Sequence, residues 1–306
     1  MKFGVSIPNM NLLTNGEDTF AFAREIEALG FDSVWVSDHV TIPRDIKSQY
    51  PYRTNGTFSM GADNALLEPL AVMAALAAAT TRTRIGVSVL VIPYRNPVLT
   101  AKMLSTIDVL SGGRVILGAG VGWMAEEFDL LQSPPFEDRG PVTDSYIKLF
   151  RELWTSPSPT FEDAFYSVSN VGFEPKPVQN PLPIWIGGIT GPALRRAAKL
   201  GDGWQGIRHR PADIPAAMQK LHQLLEEEER SADGFTFGMR TPFAINQDSA
   251  PEEAIPLEGT SQHVRDDVRR YEEAGIEYLV VNPRGQTLEE QRTQVRLFAE
   301  EVVGKL

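Results

Sequence analysis

No cysteine occurs anywhere in the 306 residues, so disulfides, thiolate metal sites and cysteine nucleophiles are excluded, and the composition suits a reducing compartment. Positive charge is also short. Twenty-nine lysines and arginines face forty aspartates and glutamates, a formal net charge of −11. That balance argues against a nucleic-acid partner or an anionic membrane surface, since both require a positive footprint. No apolar run approaches the roughly 18 residues of a membrane span. Met1-Lys2 leads straight into Phe3-Gly4-Val5-Ser6-Ile7, without the apolar core and small-residue cleavage site of a secretory signal. A soluble, cytoplasmic protein is the expectation. The four histidines, at 39, 209, 222 and 263, nowhere fall at paired ligand spacing, so no metal site is expected. Two motifs are missing as well: the Gly-x-Ser-x-Gly elbow of serine hydrolases, and a Gly-x-Gly-x-x-Gly after the first strand, where Pro8-Asn9-Met10 stands instead.

What is present alternates. Short runs at 2–7, 31–36, 84–92, 114–118, 183–187, 203–207, 235–245 and 278–281 read as strands, most of them too uniformly apolar for a strand with one wet face. The third, Arg84-Ile85-Gly86-Val87-Ser88-Val89-Leu90-Val91-Ile92, stops abruptly at the proline-bracketed basic turn Pro93-Tyr94-Arg95-Asn96-Pro97. Helical periodicity covers 17–29, 69–79, 96–110, 144–153, 192–200, 212–229, 264–274 and a last helix from 288, with a short extra helix around 125–131. Thr287 and Glu290 fit a capping box. Eight strands alternating with eight helices in about 300 residues favour a closed (β/α)8 barrel over a doubly wound sheet, as a single domain over 1–306. Two insertions interrupt the rhythm. Segment 41–64, after strand two, is long, aperiodic and carries Tyr50, Tyr52 and Phe58, which suits a lid or binding loop, or core packing for those rings. After strand four, 157–172 with its aromatics suggests a small hairpin.

In such a barrel, chemistry gathers at the carboxyl ends of the strands. Strand two exits through Ser37-Asp38-His39. A rim histidine can act as acid or base or stack beside a ring-shaped ligand; equally, Asp38 can cap a turn and His39 merely hydrogen-bond. Neighbours on a strand point opposite ways, so Asp38 is not automatically the partner of His39. Strand four exits through Gly118-Ala119-Gly120-Val121-Gly122, which admits either a ligand close to the backbone or a tight turn. Strand five exits through Gly187-Gly188-Ile189-Thr190-Gly191-Pro192 into a helix. Free backbone N–H groups there, with the Thr190 hydroxyl, make a phosphate site, or else the segment is a plain strand-to-helix turn. Arg208-His209-Arg210 beyond strand six is a cationic patch suited to an anionic ligand tail or to solvent.

Read together, these segments resemble the bacterial luciferase-like monooxygenase superfamily, and within it the oxidoreductases that depend on the deazaflavin coenzyme F420. The resemblance runs nearly the whole length. It is carried by Gly30-Phe31-Asp32-Ser33-Val34-Trp35 with Ser37-Asp38-His39, and by Ile85-Gly86-Val87-Ser88-Val89 with Arg95-Asn96-Pro97. Leu110-Ser111-Gly112-Gly113-Arg114 with Gly118-x-Gly-x-Gly122-Trp123, and Ile184-Trp185-Ile186-Gly187-Gly188 leading to Leu200-Gly201-Asp202-Gly203-Trp204, complete it. It implies a (β/α)8 barrel holding the deazaflavin, or alternatively flavin mononucleotide (FMN), at the strands' carboxyl ends. The ring would lie across strand three at a non-proline cis peptide, Ser88-Val89. Asp38 and His39 would border its reactive face as catalytic residues, and Gly187, Gly188, Ile189 and Thr190 would hold the phosphate, with Gly120 and Trp123 also near the coenzyme.

One position departs from the pattern. A glutamate proposed as proton donor in the sugar-phosphate dehydrogenases of this group is replaced by Trp123, which points away from that reaction and towards an apolar or unsaturated substrate. The expected activity is hydride transfer between the deazaflavin and an organic molecule. Two other readings are an FMN-dependent two-component monooxygenase and a non-catalytic flavin-binding barrel. The resemblance also implies a homodimer formed through helices two and three.

Overall fold

The structure, a computed structural model, describes residues 1–306 other than 11, 13, 14, 54 and 247–255. Eight parallel strands form the expected barrel: β1 (Lys2–Ser6), β2 (Ser33–Val36), β3 (Arg84–Val91), β4 (Val115–Gly120), β5 (Ile184–Gly187), β6 (Gly203–Ile207), β7 (Thr236–Ile245) and β8 (Tyr278–Pro283). They pair in chain order, and β8 pairs with β1 to close the ring. A two-residue strand, Glu258–Gly259, extends β7 on the outside. Around the ring run α1 (Gly16–Ala28), α2 (Pro69–Ala79), α3 (Pro97–Ser111), α4 (Ala125–Leu130), α5 (Arg139–Thr155), α6 (Gly191–Leu200), α7 (Ile214–Glu227), α8 (Ser261–Glu273) and α9 (Leu288–Leu297). The expected helix at 144–153 is longer than its apolar period suggested, because its first turn begins at Arg139 after the 3-10 turn Phe136–Asp138. The small hairpin is present, pairing Phe161–Glu162 with Ser167–Val168. The capping box at Thr287 and Glu290 forms as expected. Among the described residues no helix is long and apolar enough to cross a membrane, and no group of three or more acidic or histidine side chains is placed to hold a metal ion.

Alternation along each strand divides the barrel interior into layers. The middle layer is aromatic: Trp35, Ile116, Trp185, Tyr278 and Val280 form one buried cluster, with the Trp35 and Trp185 rings 5.4 Å apart. Facing strands make room with glycine. A Cβ on Gly86 would lie 2.3 Å from the Trp35 ring, and one on Gly203 2.7 Å from that of Trp185, so Gly86→Ala would break the layer by overpacking. Two residues further along the strands the same inward positions turn polar: Ser6, Ser37, Ser88, Gln205, Arg240 and Asn282, which exchange hydrogen bonds across the barrel. This polar layer forms the floor of the mouth.

Outside the strands lies the main apolar core, where Phe22 and Ile26 of α1, Leu70, Met73 and Leu76 of α2 and Leu104 and Ile107 of α3 are fully or almost fully buried. Each such side chain contributes about 1.5–3 kcal/mol by leaving water. Leu110, placed on the buried side of α3 by its spacing, is instead 66% exposed. The buried side of α3 runs through Leu104, Ile107, Asp108 and Ser111, which leaves Leu110 on the outward side before the helix ends at Gly112, whose φ of 69° is open to glycine.

Candidate active site

β3 changes register against β4 between Val87 and Leu90, and the Ser88-Val89 peptide in that gap is cis, as expected. The bulge turns the Val89 side chain towards β4 and β5. A Cβ on Gly120 would lie 2.3 Å from one Val89 methyl, and a Cβ on Gly187 2.3 Å from the other. Gly120 and Gly187 thus clear space for Val89, and through it they buttress the bulge from behind. Ser88 faces the barrel axis. Its hydroxyl donates to Gln205 Oε1, and its carbonyl accepts from Arg240 Nη1.

Asp38 and His39 are both buried but serve different partners. Asp38 accepts both Arg95 Nη atoms at 2.8 Å and the Val91 N–H at 2.9 Å, clamping the end of β3 to the end of β2. Burial lowers the Arg95 guanidinium pKa, but the hydrogen bonds and charge of Asp38, aided by Glu68, hold it above its ordinary value. His39 turns the other way, with Nδ1 2.6 Å from Glu127 Oε2 on α4. A carboxylate only accepts, so Nδ1 carries the hydrogen, and in the neutral imidazole the lone pair is on Nε2.

Glu127 is fully buried and accepts three further hydrogen bonds, from the Val40 and Thr41 N–H groups at 2.7 and 3.1 Å and the Tyr94 hydroxyl at 2.9 Å. Burial pushes the Glu127 carboxyl up, yet His39 and these N–H groups outweigh it and hold the pKa below the ordinary value. The Tyr94 phenol is driven well above its ordinary value, first by burial and then by the Glu127 charge.

The described residues of segment 41–64 are docked over the mouth. Glu126, next to Glu127 on α4, accepts the Lys47 and Ser48 N–H groups at 2.6 and 3.0 Å and the Ser48 hydroxyl at 2.8 Å. The docked loop brings Tyr50 and Phe58 against Trp123, each pair with ring centres 5.1 Å apart, and sets Phe58 5.0 Å from His39. Trp123 stands edge-on to His39 at 6.2 Å. The surroundings of His39 on the loop side are thus aromatic, and the two nearby carboxylates are consumed by loop and histidine.

At the end of β5, Gly188 takes a φ of 118°, and Ile189 and Thr190 are exposed. Thr190 is the N-cap of α6, but its side chain makes no capping hydrogen bond, so the first turn keeps open backbone donors. An Arg195 Nη1 lies 3.4 Å from where a Cβ on Gly191 would be. This end of the site is some way round the rim from His39. The bulge joins its parts: Gly187 and Gly120 behind it, Ser88 before it, and Asp38 bonded to Val91 at its end.

Glu127, Tyr94, Gln205 and Arg240 were not singled out from the sequence. Glu127 lies in a short acidic turn that reads as a solvated face. Arg240, however, had a signal: a lone charge inside Phe235-Thr236-Phe237-Gly238-Met239-Arg240-Thr241, two residues beyond an inward glycine.

Comparison with known proteins shows what the whole chain is similar to. A protein of Mycobacterium tuberculosis, the uncharacterised Rv0940c, is 32% identical over 292 residues, 93% of this chain and 94% of its own length. An F420-dependent glucose-6-phosphate dehydrogenase of Amycolatopsis mediterranei is 36% identical over 191 residues, 61% of this chain and 52% of that enzyme. Among solved structures, an F420-dependent secondary alcohol dehydrogenase in complex with an F420-acetone adduct superposes with a TM-score of 0.81 at 18% identity, over 99% of this chain and 98% of that one. The long-chain alkane monooxygenase LadA reaches the same TM-score at 14% identity, over 100% and 91%. Residues 1–255 match the model of the luciferase-like monooxygenase family, and the chain belongs to that family.

Proposed function

We propose that this protein is an oxidoreductase that uses the deazaflavin coenzyme F420 to move a hydride to or from an apolar or unsaturated organic substrate. The observation that carries the reading is the His39–Glu127 pair at an aromatic-walled barrel mouth. Relatives over part of the chain are named as F420-dependent dehydrogenases, which supports the choice of coenzyme.

The residues present fit such a coenzyme. A buried amide nitrogen on Gln205 lacks any partner, and the first turn of α6 is uncapped. The bulge at Ser88 and Val89 would back the ring, and Gly188, Ile189 and Thr190 with the α6 N-terminus would hold the phosphate. When bound, the coenzyme supplies a two-electron hydride acceptor or donor.

The chain's own part is to position and to move a proton. Glu127 fixes the tautomer and rotamer of His39, so that Nε2 takes a proton from, or returns one to, the substrate atom beside the reacting carbon. Asp38, with both oxygens given to Arg95 and Val91, positions the end of β3 rather than exchanging protons. Trp123, Tyr50 and Phe58 keep water from the reacting carbon and favour an uncharged substrate. By the family resemblance, Trp123 replaces the glutamate proposed as proton donor for sugar-phosphate oxidation, which supports a different substrate. Exposed Leu99, Val109 and Leu110 on α3 offer a face for a homodimer.

Titration of the purified protein with F420 and, separately, FMN tests the coenzyme. Micromolar or tighter F420 binding is expected, and tight FMN binding without F420 binding would replace the reading with an oxygen-consuming monooxygenase. His39→Ala should keep coenzyme binding and lose about 10²–10⁴-fold in kcat. Tight binding with no turnover on any alcohol, ketone or enone tried would instead indicate a non-catalytic coenzyme carrier.

A further inference from the structure

The polar layer at the floor of the mouth carries a charge that the protein leaves unanswered. A guanidinium has five N–H bonds, and in Arg240 four are taken. Nε donates to Asn282 Oδ1 at 3.0 Å, Nη2 to the Ser6 and Ser37 hydroxyls at 2.7 and 2.8 Å, and one Nη1 hydrogen to the Ser88 carbonyl. All four acceptors are neutral. The titratable groups that face Arg240 among the described residues are Tyr50 and a second cation, Arg208, and no carboxylate offsets them. Arg240 lies deep in the barrel although the open mouth leaves part of it wet, and burial pushes its pKa down to about 10.

Gln205, 2% exposed, shares the same neighbour. Its Oε1 accepts the Ser88 hydroxyl hydrogen, and its Nε2 has no partner. An unmet buried donor costs about 1–3 kcal/mol, and a buried charge without a counter-ion costs more. Both groups rest on Ser88, the residue at the register shift of β3. The unused capacity at this one place is one N–H of Arg240, the two N–H bonds of Gln205 and a full positive charge, with no acceptor to match.

That set fits delocalised negative charge on a planar heterocycle bearing carbonyl oxygens. Hydride transfer delivers two electrons and one proton to a ring, leaving it one unit more negative than before. We infer that Arg240 and Gln205 form a receptor for this added charge, so that the protein binds the reduced coenzyme more tightly than the oxidised one. The inference rests on the reading that the ring lies against the Ser88-Val89 bulge.

Anaerobic equilibrium titration with oxidised and with reduced F420 gives two dissociation constants, whose ratio reads the preference without any turnover. Wild type should bind the reduced form at least tenfold more tightly. Arg240→Met should lower the ratio at least tenfold, mainly through the reduced form, equivalent to dropping the bound coenzyme's potential by about 30 mV per factor of ten. Arg240→Lys, which keeps the charge, should retain most of the preference. Gln205→Glu keeps an acceptor for Ser88 and puts a carboxylate oxygen where the unpaired amide stands, so it should lower the ratio too. Should Arg240→Met fail to fold, the last two variants carry the test.

An unchanged ratio in Arg240→Met or Gln205→Glu, a ratio in Arg240→Lys that falls as far as in Arg240→Met, or equal losses in both redox states, overturns the inference and leaves the coenzyme assignment standing. A raised KM for a carboxylate substrate at an unchanged ratio also overturns it, assigning Arg240 to the substrate. Wild-type protein that binds F420 in neither state sinks the coenzyme assignment and the inference together.

Discussion

Two half-buried guanidiniums, one at each end of the barrel, lack a carboxylate partner and have opposite surroundings. Arg114 closes the amino-terminal side. Its five N–H bonds end on the carbonyls of Ala77, Thr80, Thr83 and Ser111 and on the Thr80 hydroxyl. These include orphan carbonyls at the end of α2, where a cation also meets the negative end of the helix dipole. Nearby, Asp108 accepts from Val115 N, Gln179 N and Gln179 Nε2, and Glu27 accepts the N–H groups of Thr81, Arg82 and Thr83. Arg240, at the carboxyl side, is surrounded by hydroxyls and leaves an N–H over, beside an amide with two more. A closed polar network stabilises a fold, whereas an open one keeps its capacity for a ligand. The division of a (β/α)8 barrel into a stability end and a chemistry end is here visible in hydrogen-bond accounting alone.

The contrast can be tested by mutation. Asp38→Asn should have the largest effect on folding, about 3–5 kcal/mol in denaturant unfolding, because it removes the buried carboxylate that neutralises Arg95 and leaves it only the more exposed Glu68. A loss below about 1 kcal/mol would mean that Asp38 is held for chemistry rather than for the clamp. Arg114→Met should cost about 2–4 kcal/mol, since its carbonyl partners lose their donors together. Arg240→Met, by contrast, should change the unfolding free energy of the coenzyme-free protein by about 1 kcal/mol or less, because removing an unmatched buried charge offsets the lost hydrogen bonds. Equal losses for the two arginine variants would erase the distinction drawn above.

An effect as small, but dependent on pH, is expected at Glu27. Burial raises its carboxyl pKa, but the backbone N–H groups of Thr83, Arg82 and Thr81 outweigh this and lower it to about 2 from an ordinary 4.5. Its stabilising contribution is therefore complete above the ordinary value and fades as the pH falls from there towards 2. In Glu27→Gln, about 1 kcal/mol of that acid-side slope should disappear, with stability near pH 7 lower by a similar amount.

The alternation of strands and helices was legible because it is written in local periodicity, and the cis bulge was legible because the motif around Ser88 resembles a known one. Pairings between distant segments were not. His39 and Glu127 lie 88 positions apart, and nothing local in Ala125-Glu126-Glu127-Phe128 tells a buried carboxylate from a solvated one. The roles of Gly120 and Gly187 were also hidden. Both read as places for a ligand to approach the backbone, but the side chain that needs their space belongs to Val89 two strands away from Gly187. Burial of Asp38 could not be inferred either, since its counter-ion Arg95 sits in a turn that reads as a polar rim.

The adjacent carboxylates of α4 link two parts usually treated as separable. Glu126 grips the loop at Lys47 and Ser48, while Glu127 grips His39 together with Val40 and Thr41. One helical turn therefore sets both the height of the aromatic lid and the aim of the imidazole. For anyone redesigning the substrate range, residues 39–64 and 123–130 form a single cassette. A foreign lid grafted without its own acidic turn would meet a helix shaped to hold Lys47, Ser48 and the original His39.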